Sequence, residues 1–116
     1  MDSEKAQFIN SLMSDHSKFR DFLTADELLF THSLISMMQE ADIKLPLNYQ
    51  IRGGMVNYKI GSYQIGRIEL YEPPYRIQLL TPSKVKWVTL NSPTDAISYI
   101  PEWIKYCKKI DRRRLS

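Results

Sequence analysis

The clearest structural signal in this chain is Leu47-Asn48-Tyr49-Gln50-Ile51-Arg52-Gly53-Gly54-Met55-Val56-Asn57-Tyr58-Lys59-Ile60. Gly53-Gly54 suits a two-residue turn that needs positive φ. When the flanking residues are paired outward from this turn, one face of the pair is entirely apolar or aromatic and the other is polar. The first face pairs Ile51 with Val56, Tyr49 with Tyr58 and Leu47 with Ile60; the second pairs Gln50 with Asn57 and Asn48 with Lys59. A slip of one residue would destroy this match, so the sequence predicts a β-hairpin over residues 47–60.

Three more strands are predicted after the hairpin. Gly61-Ser62 indicates a second tight turn, and the next strand changes its apolar phase by one residue across Gly66, which predicts a β-bulge there. Pro73-Pro74 ends this strand, because proline cannot donate to a strand ladder. The pattern then predicts strands over residues 76–80 and 85–90, separated by a turn at residues 81–83.

Helices are predicted on both sides of the strands. Ser3 suits the cap of a first helix that runs to about Met13, and residues 14–22 fit either a continuation or a connector. Thr24 and Glu27 match the capping box of a second helix, which ends before Pro46. Ser92 suits the cap of a final helix. Pro101 lies inside that last pattern, where it either kinks one helix or begins a second one.

These elements predict an α+β fold in a single domain, residues 1–116. It is an antiparallel β-meander of about five strands, packed on one face by two N-terminal helices and one C-terminal helix, in the order α-α-β-β-β-β-β-α. Phe30 and Trp103 lie on apolar helix faces, so we expect both to be buried.

The net charge of +3 is unevenly distributed. Residues 1–45 hold eight acidic and four basic residues, a net charge of −4, whereas residues 46–116 hold twelve basic and five acidic residues, a net charge of +7. Two interpretations are open: the C-terminal part binds an anionic partner, or the two parts attract each other within the fold.

The sequence contains no pattern typical of an enzyme, a metal site or a cofactor site. His16 and His32 have no further ligands at zinc-site spacings, and Cys107 lies on an apolar helix face, which predicts a buried, inert thiol. The glycines join strands rather than a strand and a helix, so they form no phosphate loop. No apolar run approaches about 18 residues, so no membrane span is expected. The polar N-terminus and the single cysteine favour a cytoplasmic protein.

The basic residues suggest a binding role for the polar face of the sheet. A sheet surface with basic, amide and tyrosine side chains can contact phosphates and stack bases, although an open antiparallel face is polar in any case. Lys105, Lys108, Lys109 and the run at residues 112–114 form a second basic cluster. The candidate nucleic-acid-binding residues are Arg52, Lys59, Arg67, Arg76, Lys84 and Lys86, and we expect the strand residues among them to share one exposed surface.

The alternative is a protein–protein interaction or inhibitor module. Tyr71 and Tyr75 flank the Pro73-Pro74 turn, and exposed tyrosines beside prolines are typical interface anchors. The sequence therefore predicts a non-enzymatic accessory or binding protein whose partner is a macromolecule, with nucleic acid and protein both open.

Overall fold

A computed structural model describes Arg20, residues 22–81 and residues 83–115 of the chain. The predicted helix at residues 3–13 lies outside this described part. The described elements are α1 (Ala25–Glu40), β1 (Leu47–Arg52), β2 (Met55–Ile60), β3 (Tyr63–Glu69), β4 (Tyr75–Leu80), β5 (Val85–Leu90), a 3₁₀ helix (Pro93–Tyr99) and α2 (Ile100–Leu115). No helix in these ranges is long and apolar enough to cross a membrane.

The five strands form one antiparallel sheet in the order β1-β2-β3-β4-β5, so the predicted α+β meander is confirmed. The hairpin register is also confirmed, with Ile51 opposite Val56, Tyr49 opposite Tyr58 and Leu47 opposite Ile60. Both helices pack on the same face of this sheet, because Phe30 of α1 and Trp103 of α2 each contact Tyr58 of β2.

The predicted bulge lies at the expected place in β3. Lys59 pairs with Gln64 and Tyr58 pairs with Gly66, so Ile65 is the extra residue of β3. The indole of Trp103 lies directly on Gly66, and a Cβ atom at that position would overlap its ring atoms. Glycine is therefore required here by the close approach of α2 to the sheet.

Three aromatic rings form the centre of the core. The ring centroids of Phe30, Tyr58 and Trp103 lie 5.1 to 5.7 Å apart, and all three side chains are buried. The polar atoms of Trp103 and Tyr58 are hydrogen-bonded. The Trp103 indole N–H donates to the backbone carbonyl of Gln78 at 2.7 Å, and the Tyr58 and Thr31 hydroxyl oxygens lie 2.5 Å apart. The expected burial of Phe30 and Trp103 is thus confirmed.

The predicted capping box begins α1 and carries an additional ion pair. The Thr24 N–H donates to Glu27 Oε1 at 2.8 Å, and the Glu27 N–H donates to Thr24 Oγ1 at 3.3 Å. Arg20 is paired with the buried Glu27 carboxylate through both terminal nitrogens, and it donates through Nε to the Gly53 carbonyl at 3.1 Å. Arg20 therefore ties α1 to the β1–β2 turn.

The C-terminal region contains two helical segments rather than one kinked helix. The 3₁₀ helix begins after Ser92, whose N–H donates to the Asp95 carboxylate at 3.2 Å. Pro101 is the second residue of α2, where a missing backbone N–H has no cost because the first turn of a helix leaves its N–H groups unpaired. Of the two alternatives, the structure supports the one in which Pro101 begins a second helix.

Candidate nucleic-acid interface

The site of interest is the sheet face that points away from the helices. Side chains alternate between the two faces of a strand. Tyr58, Ile68 and Ile77 point to the helices, so the residues directly before and after each of them in sequence point to the other face of the sheet. Both helices and the 3₁₀ helix lie on the Tyr58 side. Within the described ranges, no helix covers the second face, which we call the open face.

A row of five side chains crosses the open face from edge to edge. Gln50 of β1 pairs with Asn57 of β2, and Asn57 pairs with Arg67 of β3. Gln78 of β4 pairs with Trp87 of β5. Ile68 pairs with Ile77 in the antiparallel β3–β4 ladder. Arg67, which precedes Ile68, therefore lies opposite Gln78, which follows Ile77. We call this line of residues the cross-strand row.

A polar cavity of about 290 Å³ opens over the first half of the row. Its lining consists of residues from β1, β2 and β3: Gln50, Arg52, Met55, Asn57, Lys59, Gln64 and Arg67. Two hydrogen bonds orient this wall, one from Arg52 to the Gln50 side-chain oxygen and one from Gln64 to the Gln78 side-chain oxygen, both at 3.2 Å.

Two of the residues that line this cavity each carry a buried polar atom that has no hydrogen-bond partner among the described residues. These atoms are the Asn57 side-chain oxygen and the Arg67 Nε, and Asn57 as a whole is only 7% exposed. A buried polar group without a hydrogen bond costs about 1–3 kcal/mol, and in native proteins such a group is explained by strain, by a catalytic role, or by a bound water or ion. One unpaired acceptor and one unpaired charged donor therefore belong to two residues that are paired across β2 and β3 in the cavity wall.

The open face carries positive charge around the cavity. Arg52, Lys59 and Arg67 line it, and none of the described residues that line it is acidic. The acidic residue that the described strands place on this face is Glu69, and its carboxylate pairs with Arg76 at 2.5 Å. Within the described part of the chain, three basic side chains at the cavity therefore have no acidic partner.

At the far end of the row, Arg76 and Trp87 form a second feature. The Arg76 guanidinium carbon lies 4.4 Å from the centre of the Trp87 ring, a cation–π contact. Trp87 is half-buried, and it is the one aromatic side chain that the described strands direct to the open face. The open face thus combines a basic polar cavity with an indole surface.

The six sequence-predicted residues do not all meet. Arg52, Lys59 and Arg67 lie together at the cavity, Arg76 lies on the same face nearer β5, and Lys84 lies in the turn before β5. The expectation that Lys86 shares this surface is wrong, because Lys86 pairs with Leu79 and points to the helix side. The strand at residues 85–90 has apolar residues at alternating positions of both phases, so its sequence does not show which face is covered.

Lys84 and Lys86 belong to a different surface. They border a groove of about 400 Å³ between the β4–β5 hairpin and α2, together with Lys105 and Lys109. Lys105 and Lys109 of α2 therefore lie on the side of the sheet opposite the cavity. The first basic cluster predicted from the sequence is divided, because Lys84 and Lys86 lie with these two lysines rather than at the cavity.

The two tyrosines of the alternative interface are partly engaged within the protein. The Tyr71 ring lies under the Arg20 guanidinium at 4.5 Å, and Tyr75 packs against the core from β4. Glu72, Pro73 and Pro74 between them are exposed. The exposed tip of this loop is therefore formed mainly by residues other than the two tyrosines.

Sequence reasoning missed Asn57, Gln78 and Trp87 as site residues. Asn57 was placed on the polar face of the hairpin, but its burial depends on long side chains from three strands. Trp87 was overlooked because the prediction placed Lys86 on the exposed face, which put its neighbour Trp87 on the helix side. The register from Gly53-Gly54 outward is the sequence signal that places Asn57 on the open face, whereas Gln78 and Trp87 join the row through strand pairings that the structure shows.

Other chemically reactive groups of the described part are isolated. His32 is exposed on α1, and no three His, Cys, Asp or Glu side chains in the described residues are grouped to hold a metal ion. Cys107 is fully buried, as the sequence predicts, and burial raises the pKa of its thiol to about 12. No family model matches the chain, and no curated protein or solved structure is significantly similar to it.

Proposed function

We propose that this protein binds nucleic acid through the open face of its sheet. The proposal depends mainly on one observation: the charged residues that line the cavity are Arg52, Lys59 and Arg67, and its wall contains two buried polar atoms, on Asn57 and Arg67, that have no partner among the described residues. A nucleotide supplies what this cavity lacks. Its phosphate pairs with the basic side chains, and the edge of a base offers adjacent donors and acceptors to Asn57 and Arg67.

The distribution of ion pairs supports an external anion. The alternative explanation of the charge asymmetry was attraction between the acidic residues 1–45 and the basic residues 46–116. Among the described residues, all four ion pairs lie within one part or the other: Arg20–Glu27, Lys44–Asp42, Arg76–Glu69 and Lys105–Glu102. Within the ranges that the structure describes, the basic side chains at the cavity therefore form no ion pair with the acidic part.

The test is a fluorescence-anisotropy titration with labelled single-stranded and duplex oligonucleotides of about 12 nucleotides. Three phosphate contacts to a single strand give a slope of about −2 in a plot of log K against log salt concentration. We therefore expect affinity to fall about 20-fold between about 50 mM and about 200 mM salt. Absence of binding at the lower concentration, for every oligonucleotide form, would refute the proposal.

Two double variants locate the binding surface with matched charge. Arg52→Gln with Lys59→Gln removes two positive charges from the open face, and Lys84→Gln with Lys86→Gln removes two from the groove beside α2. We expect the first pair to reduce the salt slope by about 1.4 units, whereas the second leaves it nearly unchanged. Equal effects of the two pairs would show nonspecific attraction, and a larger effect of the second would place the site in the groove.

A further inference from the structure

The side chain of Trp87 lies on the open face of the sheet, where the other strand residues near the row are mostly polar or basic. The other aromatic residues of the described strands, Tyr49, Tyr58, Tyr63 and Tyr75, all lie on the helix side. Trp87 is the one aromatic residue of the described strands that lies on the open face. It is half-buried, at the β5 end of the cross-strand row. The row therefore joins a basic polar cavity at one end to an indole at the other.

The indole is held in a defined orientation. Arg76 lies against its ring at 4.4 Å, and Glu69 of the neighbouring strand holds the Arg76 guanidinium at 2.5 Å. Aromatic rings and guanidinium planes are the two protein surfaces on which unpaired bases commonly stack. A platform that is ordered before binding loses less entropy when a ligand binds.

We infer that a nucleobase stacks on the Arg76–Trp87 pair while the phosphates of the same strand lie at the cavity, so that the ligand is single-stranded. This inference rests on the proposed function. Arg67 and Trp87 are two strand spacings apart, about 10 Å, so a few nucleotides reach from one to the other. A base inside a duplex is already stacked on both sides, so duplex DNA reaches the basic cavity but not the indole.

Intrinsic fluorescence tests the stacking directly, because the two tryptophans lie on opposite faces of the sheet. Trp103 is 1% exposed beneath the helices, whereas Trp87 is half-buried on the open face. We expect oligothymidylate and oligouridylate of about 12 nucleotides to quench the emission of the full-length protein. The variant Trp87→Phe retains only Trp103, and its emission should not change on titration.

Affinity provides the second readout. Trp87→Ala should weaken single-strand binding roughly 5- to 150-fold, the loss that corresponds to one stacked base. Duplex binding should change by less than about 2-fold, since the indole does not contact stacked bases. A thermal unfolding curve of each variant checks that the fold is retained.

The outcomes separate the inference from the function on which it rests. If the unaltered protein binds no oligonucleotide, the proposed function fails, and the inference fails with it. If it binds but Trp87→Ala keeps full affinity and the emission is not quenched, the function stands and the stacking inference is overturned. An equal loss of single-strand and duplex affinity in Trp87→Ala also overturns it.

Discussion

At the scale of single residues, Gly66 and Trp103 are mutually dependent. The Trp103 ring occupies the space that a side chain at position 66 would need. We expect Gly66→Ala to lower the free energy of unfolding by about 1–3 kcal/mol, since one added carbon overpacks this contact. Urea denaturation measures the change, and Ser62→Ala in the exposed turn nearby is the control, with an expected effect within about 0.5 kcal/mol.

Removing the ring tests the same contact from the other side. Trp103→Ala should cost roughly 3–5 kcal/mol, because a large buried side chain leaves a cavity. In that background the overpacking at Gly66 disappears, so Gly66→Ala should cost less than it does alone. If the two substitutions are simply additive in urea denaturation, the close contact does not explain the glycine.

The Cys107 thiol is expected to be unreactive in the folded protein. Burial raises its pKa from 9.0 to about 12, so almost no thiolate is present at neutral pH, and the sulfur is not accessible. A thiol-specific chromogenic disulfide reagent should react with the native protein only as fast as it unfolds, and rapidly in concentrated urea. Rapid reaction of the native protein at neutral pH would contradict the described position of Cys107.

The same pKa has a consequence for stability in alkali. Between pH 9.0 and about 12 the unfolded chain releases the thiol proton while the folded protein retains it. The unfolded state then binds fewer protons, so this group lowers stability as the pH rises through that window. Cys107→Ala should show a smaller loss of stability over the same pH interval, in urea titrations at a series of pH values.

At the scale of elements, the start of α1 depends on Glu27. Its carboxylate is fully buried and accepts hydrogen bonds from both Arg20 and the Thr24 N–H. Glu27→Ala leaves the largely buried Arg20 guanidinium without its partner, so we expect a loss of about 3–5 kcal/mol in the free energy of unfolding. Thermal or urea unfolding measures it.

The neighbouring acid provides a matched control for this element. Asp26 lies in the same first turn but is exposed. Asp26→Ala removes the same charge near the helix N-terminus and should cost less than about 1 kcal/mol. Equal effects of the two alanine variants would mean that the helix dipole, rather than the buried ion pair, accounts for the role of Glu27.

The elements also show which parts of a sequence determine structure. The hairpin at residues 47–60 was predictable because every facing pair agreed on one register, and no other register satisfies all of them. The break between the 3₁₀ helix and α2 was left open, since Pro101 is compatible with both arrangements in isolation. The orientation of β5 was not predictable, because apolar residues occur in both phases of Val85–Leu90 and only the packing of α2 determines which face is covered.

The candidate site was predictable only in part for a related reason. Basic residues on the polar face of the hairpin follow from alternation alone, and Arg52, Lys59 and Arg67 do meet. The unpartnered atoms of Asn57 and Arg67 depend on how long side chains from three strands cover one another. Such coverage is a property of the assembled sheet, and no single strand encodes it.

At the scale of the whole molecule, the sheet separates two chemically different surfaces. One face is closed by helices around an aromatic core, and the other presents the cross-strand row to solvent. We expect removal of residues 91–116 to abolish cooperative unfolding, because it deletes Trp103 and the other α2 residues that cover Tyr58, Gly66 and Ile65. Near-ultraviolet circular dichroism of the truncated chain should show no fixed aromatic environment, and a retained signal would contradict this dependence.

The packing of Phe30 against Trp103 has a consequence for biosynthesis. Phe30 lies in α1, which precedes the five strands in the sequence, and Trp103 lies in α2, which follows them. The ribosome therefore synthesises all five strands before α2, the helix that completes the core. At about 5–20 residues per second, translation of residues 91–116 takes roughly 1–5 seconds, and during this time the part of the sheet that α2 covers lacks its partner. During that interval the emerging chain presents the kind of exposed apolar surface that chaperones bind, and the interval ends only when α2 has emerged.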